Sequence, residues 1–460
     1  MIPEFFLIKL DTKSKLMIKI DRQLGLTEQA MEIMNHYDKY FIVTVSRIKG
    51  NLNEALVRQA LDLLQYRHPR LNSRIVGSLD NLRFETEGTQ KIPLRVIKKF
   101  HNKQWQEVLQ EELNQKLDST KGLVRSVLIH IGSEENICYL IITVHHAIAL
   151  ASSVLRLHSE ILAYCENIVT EKPINFADKL PAFPSIEELL PKSTKGFTGA
   201  INNLSFLLNT LFKTTLHRPK DLGLKKSLSL NYHPCNMTIH RQLDKNLTQQ
   251  LVNTCREKKT TVQGALCAAM MLAAAQLIDS NKKNHGIICH SSIDIRKFIE
   301  PIISDEHLVV SCSYTTGYFH ISTNTPFWDL ACKAKQQIKV SLMNRHELFS
   351  KILTYKKMVD ICLKNPNVVP DSIAVTNIGK LNIPQDYDFF RIEKISFFPI
   401  QSIINNNLTA AITTFNEQMV LNFMFSESSI TRHKMEKFVG DVLDLLQKSI
   451  LWKCTTDKYR

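Results

Sequence analysis

The segment ICYLIITVHHAIALA, residues 137 to 151, joins a long apolar run to two adjacent histidines. Residues 137 to 144 are apolar, aromatic or β-branched, which is typical of a strand buried on both faces. His145 and His146 stand where this strand ends, and consecutive strand residues point to opposite sides of a sheet. We therefore expect one imidazole to face a cavity and the other to face the protein interior, at a sheet end of the kind where ligands bind in α/β folds.

Patterns typical of strands and helices surround this segment on both sides. Apolar runs predict strands at 41–45, 94–98, 123–131, 137–144, 235–243, 287–293, 308–315, 374–377, 392–398, 410–415 and 419–425. Helical spacing of apolar residues predicts helices at 52–64, 104–117, 152–168, 197–216, 245–256, 261–278 and 431–446. The order lacks the strict βαβ rhythm of a doubly wound fold, so we expect a mixed α/β (α+β) fold in which helices flank mixed sheets.

The chain has 460 residues, of which 44% are hydrophobic and 22% charged, as in a globular protein. A single core rarely grows to this size, so we predict two domains. The first spans 1–185 and carries the two histidines, the second spans 227–460, and a proline-interrupted connection lies at 186–226. Within it, the apolar stripe of 197–216 predicts a packed crossover helix; a membrane-surface helix and a helix that covers the substrate are the alternatives.

The formal net charge of +14 makes nucleic acid, an anionic membrane and a phosphorylated substrate candidate partners. The lysines are scattered, and no basic helix is interleaved with aromatic residues as a nucleic-acid platform requires. We therefore interpret the charge as a solvated basic surface and predict no nucleic-acid partner.

The ten cysteines contain no CxxC pair, and most lie in apolar runs, as reduced buried thiols do in cytoplasmic proteins. The apolar patch at 5–8 is too short for a secretory segment, so we expect a cytoplasmic protein. The stretch 261–278 is interrupted by two glutamines and a glycine, which favours a buried core helix over a membrane span. A histidine pair can also bind a metal, but the next His, Asp or Glu is His158, so we predict no metal site.

Eight segments resemble, in the same order along the chain, landmarks of the chloramphenicol acetyltransferase-like and condensation-domain superfamily. They are RQLG at 22–25 with a glutamate at 28, IKGNL at 48–52, RHPRL at 67–71, HHAI at 145–148, TTVQGAL at 260–266, DIR at 294–296, VTNIG at 375–379 and TFN at 414–416. The resemblance is to the branch that includes the polyketide-associated and alcohol acyltransferases. It implies two similar domains, each a mixed sheet flanked by helices, with a tunnel between them.

The resemblance also implies an enzyme that moves an acyl group from a thioester to a hydroxyl or amine. His146, the second histidine of the motif, corresponds to the general base, since an imidazole can take a proton from the acceptor and return it to the leaving group. The implied donor is acyl-CoA or an acyl-carrier protein, the acceptor is a small alcohol or amine, and no cofactor is needed. The sequence contains no Gly-x-Ser-x-Gly nucleophile elbow, in agreement with direct transfer.

Further site residues follow from the same resemblance. His145, Asp294 and Arg296 are expected to support the site. Candidates for contacts to the oxyanion or the substrate, which need hydrogen-bond donors across the tunnel, are Thr376, Asn377 and Thr414.

The motif departs from the family pattern, which is His-His-x-x-x-Asp-Gly. Leu150 occupies the place of the Asp and Ala151 that of the Gly. In the family the Asp braces the loop by pairing with an arginine, and we expect that partner to be lost as well, because its place after RHPRL is Asn72. A shortened loop that displaces His146 is a second interpretation. The departure also favours an alternative function, a catalytically weak or inactive relative that binds an acyl or carrier-protein partner.

Overall fold

The computed structural model describes residues 20–132, 136–172, 179–217, 219, 222–224, 235–278, 284–322, 324–365, 370–401 and 407–451. The strands in these residues are β1 (Arg22–Gln23), β2 (Phe41–Lys49), β3 (Arg74–Val76), β4 (Arg83–Glu85), β5 (Leu94–Lys99), β6 (Val124–Ile131), β7 (Ile137–His145), β8 (Asn236–Leu243), β9 (Asn284–Asp294), β10 (Cys312–Ser322), β11 (Ser372–Lys380), β12 (Arg391–Pro399), β13 (Asn407–Phe415) and β14 (Gln418–Ser426). The helices are α1 (Leu26–Tyr37), α2 (Glu54–Arg67), α3 (Trp105–Asn114), α4 (Ala151–Val169), α5 (Ile186–Leu189), α6 (Gly196–His217), α7 (Lys245–Glu257), α8 (Val262–Leu277), α9 (Phe327–Met343), α10 (Arg345–Lys364) and α11 (Arg432–Leu451).

The first large sheet has five strands in the order β12-β2-β7-β6-β5. β7 lies at its centre, pairs antiparallel with β2 and β6, and is buried along its whole length, as the apolar run predicted. One face of the sheet packs against α1, α2 and α4, and the other packs against α3. This sheet with its helices is called the N-lobe below.

The second large sheet has six strands in the order β10-β9-β11-β13-β14-β8. One face packs against α7, α8, α9 and α11, and this half of the molecule is called the C-lobe. α8 is the apolar helix at its core: the side chain of Thr261 caps it by accepting a hydrogen bond from the Gly264 amide at 3.0 Å. Its burial confirms the prediction of a core helix. A smaller sheet of β1, β4 and β3 flanks the N-lobe.

The mixed α/β class is confirmed by these mixed sheets with helices on their faces. The division at 186–226 stays a prediction, but one strand departs from it. β12 belongs by sequence to the second predicted domain, yet it pairs antiparallel with β2 at the edge of the N-lobe sheet. Phe397 and Phe398 point to opposite faces of that sheet and are 1% and 0% exposed. Burial of two phenylalanines explains why the strand leaves its own half of the chain.

Among the described residues, no single helix meets the length and hydropathy expected of a membrane span. α7 and α8 would meet them only as a pair, and they are bent by 100° relative to each other.

Candidate active site

The loop after β7 is built on His145, which is completely buried. Its Nδ1 accepts a hydrogen bond from the Ala147 amide at 3.1 Å, and its Nε2 lies 2.9 Å from Oε2 of Glu32. The other carboxylate oxygen of Glu32 accepts from the Ser119 hydroxyl at 2.7 Å. Since Nδ1 is an acceptor, the neutral ring carries its proton on Nε2, facing the carboxylate. His145 therefore ties the loop to α1 and has no access to a ligand.

His146 is half-buried and has a different environment. Its amide donates to the carbonyl of Tyr40 at 3.3 Å, and its ring stacks on that of Tyr40 with centroids 5.2 Å apart and planes 18° apart. The Nδ1 atom is enclosed and has no hydrogen-bond partner in the described part of the chain. The two histidines thus differ in environment, because His145 is completely buried against α1 whereas His146 keeps part of its surface accessible.

Burial controls the protonation of His146. Transfer of an imidazolium into a dry environment is unfavourable, and this burial lowers the pKa of His146 to about 4 from an ordinary 6.5. A contact with its own backbone opposes the shift, and the neighbouring His145 adds to it. The ring is therefore neutral at physiological pH, with a lone pair available for accepting a proton.

The C-lobe sheet carries a polar face on β9, β10 and β11. At the β10 edge of the six-stranded sheet, alternate residues such as Ser313, Thr315 and Ser291 are buried toward the helices. The residues between them are half-buried or exposed and form one continuous polar face, called the cleft wall here. The cleft wall consists of Cys312, Tyr314 and Thr316 on β10, His290 and Ser292 on β9, and Thr376 on β11.

Two tyrosines connect the lobes beside His146. The hydroxyl of Tyr40 lies 3.3 Å from that of Tyr355 on α10, and burial raises the pKa of Tyr40 to about 12. α10 also packs on β10, where the Lys351 ammonium donates to the Tyr314 carbonyl at 2.7 Å. Both phenols stay protonated at neutral pH, so they can donate hydrogen bonds but carry no charge. His146, stacked on Tyr40, therefore lies beside α10, the helix that also contacts β10.

Arg296 is nearly fully buried and joins the lobes at the start of α4. Its Nε donates to Asp294 at 2.8 Å, and its terminal nitrogens donate to the hydroxyls of Ser153 at 3.2 Å and Ser152 at 3.0 Å. Asp294 also accepts from the Ser311 hydroxyl at 3.2 Å. The buried cation is therefore satisfied by the Asp294 carboxylate and two helix hydroxyls, with a second carboxylate, Asp305, at 3.6 Å.

The start of α4 carries the altered part of the motif. Leu150 is the N-cap residue of α4 and cannot cap it with its side chain, and Ala151 is the first helical residue. The cation at this helix end is Arg296, whereas the Asn72 side chain accepts from Gln65 at 3.4 Å. With Leu150 at the position of the family's Asp, Arg296 is held by Asp294 and by the hydroxyls of Ser152 and Ser153.

The three candidates for substrate contacts lie on neighbouring C-lobe strands. Thr376 is on the cleft wall, and its hydroxyl lies 2.9 Å from that of Ser292. Asn377 accepts from the Gly379 amide at 2.9 Å and so shapes its own turn. Thr414 is half-buried, and its carbonyl accepts from the Leu381 amide. The structure shows no hydrogen bond between His146 and any of them, so their contact with a substrate stays a prediction.

Several residues of the cleft were not found from the sequence. They are Tyr40, Tyr355, Ser152, Ser153 and the cleft-wall residues His290, Ser292, Cys312, Tyr314 and Thr316. Tyr40 precedes a predicted strand, but only the register that pairs Phe41 with His145 places it on His146. The alternation along β10 was a usable signal, because Cys312, Tyr314 and Thr316 recur at every second position.

Comparisons with known proteins agree with this architecture. The family model "Condensation domain" matches residues 27–185, and the model of the C-terminus of phthiocerol/phthiodiolone dimycocerosyl transferase matches residues 236–424. A comparison with curated protein sequences found no match.

Solved structures with the same fold include three that span nearly the whole chain. A trichothecene 15-O-acetyltransferase from Fusarium sporotrichioides has a TM-score of 0.72 at 11% identity, covering 93% of this chain and 95% of its own. Polyketide synthase associated protein 5 from Mycobacterium tuberculosis has a TM-score of 0.66 at 17% identity, covering 92% and 97%. The first condensation domain of the CDA synthetase has a TM-score of 0.68 at 13% identity, covering 93% and 96%. With two family models matched in successive halves and the fold shared throughout, the chain belongs to the chloramphenicol acetyltransferase-like and condensation-domain superfamily.

Proposed function

We propose that this protein is an acyltransferase that moves an acyl group from a thioester to a hydroxyl or amine, with His146 as the general base. The observation that supports it most directly is the difference between the two histidines. His145 is buried against Glu32, whereas His146 is half-buried and stacks on Tyr40, next to Tyr355 of α10. A neutral imidazole that is partly accessible is suited to accept a proton from an acceptor.

The reaction needs two bond changes and one proton carried by His146. Nε2 takes the proton of the acceptor hydroxyl or amine while the acceptor's oxygen or nitrogen attacks the thioester carbonyl carbon. The tetrahedral intermediate collapses, the carbon–sulfur bond breaks, and the imidazolium returns the proton to the leaving thiolate. Binding both substrates in one cleft supplies most of the acceleration in such a direct transfer.

The thiol of the cleft wall lacks the properties of a covalent nucleophile. Cys312 is the thiol on the cleft wall, and burial, followed by the nearby Asp294, raises its pKa to about 12. Because the thiolate is the reactive form of cysteine, this group stays an inert thiol at neutral pH. The geometry therefore favours direct transfer from donor to acceptor.

The donor that we propose is acyl-CoA or an acyl-carrier protein, and the acceptor is a small alcohol or amine. The two matched family models and the acetyltransferase and condensation-domain neighbours support acyl transfer in general. No cofactor takes part in this scheme. We also propose a cytoplasmic location, since the cysteines that the structure describes are all free thiols.

A second candidate function is supported by the changed motif. Leu150 and Ala151 replace the Asp and Gly that the family carries. If the loop no longer holds His146 well enough for proton transfer, the protein is a weak or inactive relative that binds an acyl or carrier-protein partner.

Thiol release separates the two candidates. Purified protein is incubated with short-chain or long-chain acyl-CoA, or with acylated carrier protein, and with a panel of alcohols and amines. The enzyme predicts acceptor-dependent release of thiol above a donor-free sample, which corrects for the cysteines of the protein itself. Absence of release for every pair, together with measurable binding of acyl-CoA or acyl-carrier protein, supports the binding role and contradicts the acyltransferase.

A further inference from the structure

Helix α6 has its apolar side on the outside of the protein. Its exposed residues recur at every third or fourth position, and their side chains are 51% to 83% exposed. They are Phe197, Ile201, Leu204, Leu208, Leu211, Phe212 and Leu216. A helix on the surface of a water-soluble protein normally has its apolar stripe turned inward. Neither a packed crossover helix nor a helix closed over the substrate explains this stripe.

The side of α6 that faces the protein is largely polar. Thr214 lies 3.4 Å from the Tyr318 hydroxyl, and Nδ1 of His217 lies 3.0 Å from Nε2 of His320. The Lys351 ammonium of α10 is 6.0 Å from the ring centroid of Phe206. Polar contacts therefore attach the helix to β10 and α10, and they leave its apolar side free for another surface.

The charge around α6 indicates what that surface is. Between residues 189 and 220 the sequence contains five basic residues, Lys192, Lys195, Lys213, Arg218 and Lys220, and no aspartate or glutamate. A protein partner of ordinary composition does not require an excess of basic residues around the helix. Anionic lipid headgroups, in contrast, attract basic residues that flank an apolar helix face. At 22 residues, α6 is about 33 Å long, and it does not meet the requirements of a membrane span.

We propose that α6 is a docking helix that lies in the headgroup region of an anionic membrane and inserts its exposed apolar stripe. Lys192 and Lys195, both exposed just before the start of the helix, contact the lipid phosphates. Docking brings β10, the edge strand that α6 contacts, toward the bilayer. The membrane contact follows from the composition and orientation of α6 and does not depend on acyl transfer.

Co-sedimentation of the full-length protein with lipid vesicles tests the proposal. We expect binding to vesicles of phosphatidylcholine mixed with phosphatidylglycerol, and weaker binding to phosphatidylcholine alone or at high salt. Combining Leu204→Ser, Leu208→Ser and Leu211→Ser should weaken the binding at least about tenfold. A control triple variant, Phe100→Ser with Ile302→Ser and Met343→Ser, removes equally exposed apolar side chains elsewhere and should bind like the wild type.

A second variant tests the proposal even if the leucine variant fails to fold. Replacing Lys192 and Lys195, both exposed, with glutamate leaves the apolar stripe intact and should reduce binding to the anionic vesicles only. The proposal is overturned if the wild type binds neither vesicle, or if the leucine variant binds as well as the wild type. It is also overturned if gel filtration shows a dimer that the leucine variant converts to a monomer, because the stripe would then be an interface between two copies.

Discussion

The protonation of a single imidazole is central at the scale of residues. Free histidine is partly protonated at pH 6.5, but His146 is stacked on Tyr40 and shielded, and burial lowers its pKa to about 4. A base with this pKa is always unprotonated at neutral pH, and it is also a weaker base than free imidazole. The proposed reaction depends on the availability of this base rather than on its strength, since substrate positioning supplies the rest.

The first prediction concerns the pH dependence of acyl transfer. Because the pKa of His146 lies below its ordinary value, the neutral form persists as the pH falls through 6.5 and is lost only near 4. The rate of thiol release at limiting substrate should stay level from pH 8 to roughly pH 5.5. Circular dichroism at each pH shows that the protein remains folded. A fall in rate with an apparent pKa near that of free histidine would contradict a buried base.

The second prediction concerns position 150. Leu150 is the N-cap residue of α4, near the two serines that Arg296 contacts. Its side chain makes no capping hydrogen bond to the helix. Asp and Asn both cap helices, but only Asp also brings a negative charge to Arg296 and to the helix N-terminus. Leu150→Asp should therefore be more stable than Leu150→Asn by ~1 kcal/mol. Urea unfolding of the two variants measures the difference in stability. Equal unfolding midpoints would show that a negative charge at position 150 does not interact with Arg296.

From the sequence we predicted that one histidine ring faces a cavity and the other faces the protein interior, because consecutive strand residues point to opposite sides of a sheet. The sequence could not predict that Glu32 contacts His145 or that Tyr40 stacks on His146, since these contacts depend on how α1 and β2 approach β7. Nor could it identify Arg296 as the cation at α4, because that contact crosses from one lobe to the other.

At the scale of elements, α4 is attached to the sheet through a buried histidine. His158 lies between two hydroxyls of β2: Thr44 is 2.8 Å from its Nε2, and Ser46 is 2.8 Å from its Nδ1. Thr44 donates to the Ile142 carbonyl, so it accepts from Nε2–H, and Nδ1 in turn accepts from Ser46. Burial lowers the pKa of His158 to about 3, which keeps the ring neutral. This contact holds α4, and with it the loop of His146, against the strand beside β7.

The third prediction follows from this contact. His158→Leu leaves the Ser46 hydroxyl without this partner and should destabilise the protein by about 1–3 kcal/mol at pH 7. Because the folded pKa of His158 lies below its ordinary value, the stability of the neutral ring is complete above pH 6.5 and declines toward pH 3. The difference between wild type and variant should therefore shrink on acidification. Denaturant unfolding at pH 7 and pH 5 measures it, and a difference independent of pH would argue against a buried neutral ring.

Element prediction succeeded where periodicity was strong and failed where it was weak. β7 and α8 are apolar enough to be identified from composition, and both are buried in the structure. α9 and α10 were missed, because the buried side of α10 includes Ser350, Lys351 and Thr354 as well as apolar residues. Tertiary contacts to β10 and α1, rather than an amphipathic pattern, hold that helix in place.

At the scale of the whole molecule, the two lobes are joined at several separate places. β12 crosses into the N-lobe sheet, Arg296 reaches α4, and Tyr40 meets Tyr355. Together these contacts fix His146 relative to the cleft wall. Sequence patterns indicated a mixed α/β fold with two halves, but strand 392–398 gave no local sign that it pairs outside its own half, because edge pairing depends on the assembled sheet.

The central claim is that Nε2 of His146 accepts the proton during acyl transfer. The most direct measurement is the rate of acceptor-dependent thiol release by His146→Ala, compared with the wild type and with His433→Ala, which removes an exposed histidine of α11. The account predicts a loss of at least ~100-fold for His146→Ala, an unchanged rate for His433→Ala, and full retention of fold by circular dichroism. Wild-type rates in a folded His146→Ala protein would contradict it.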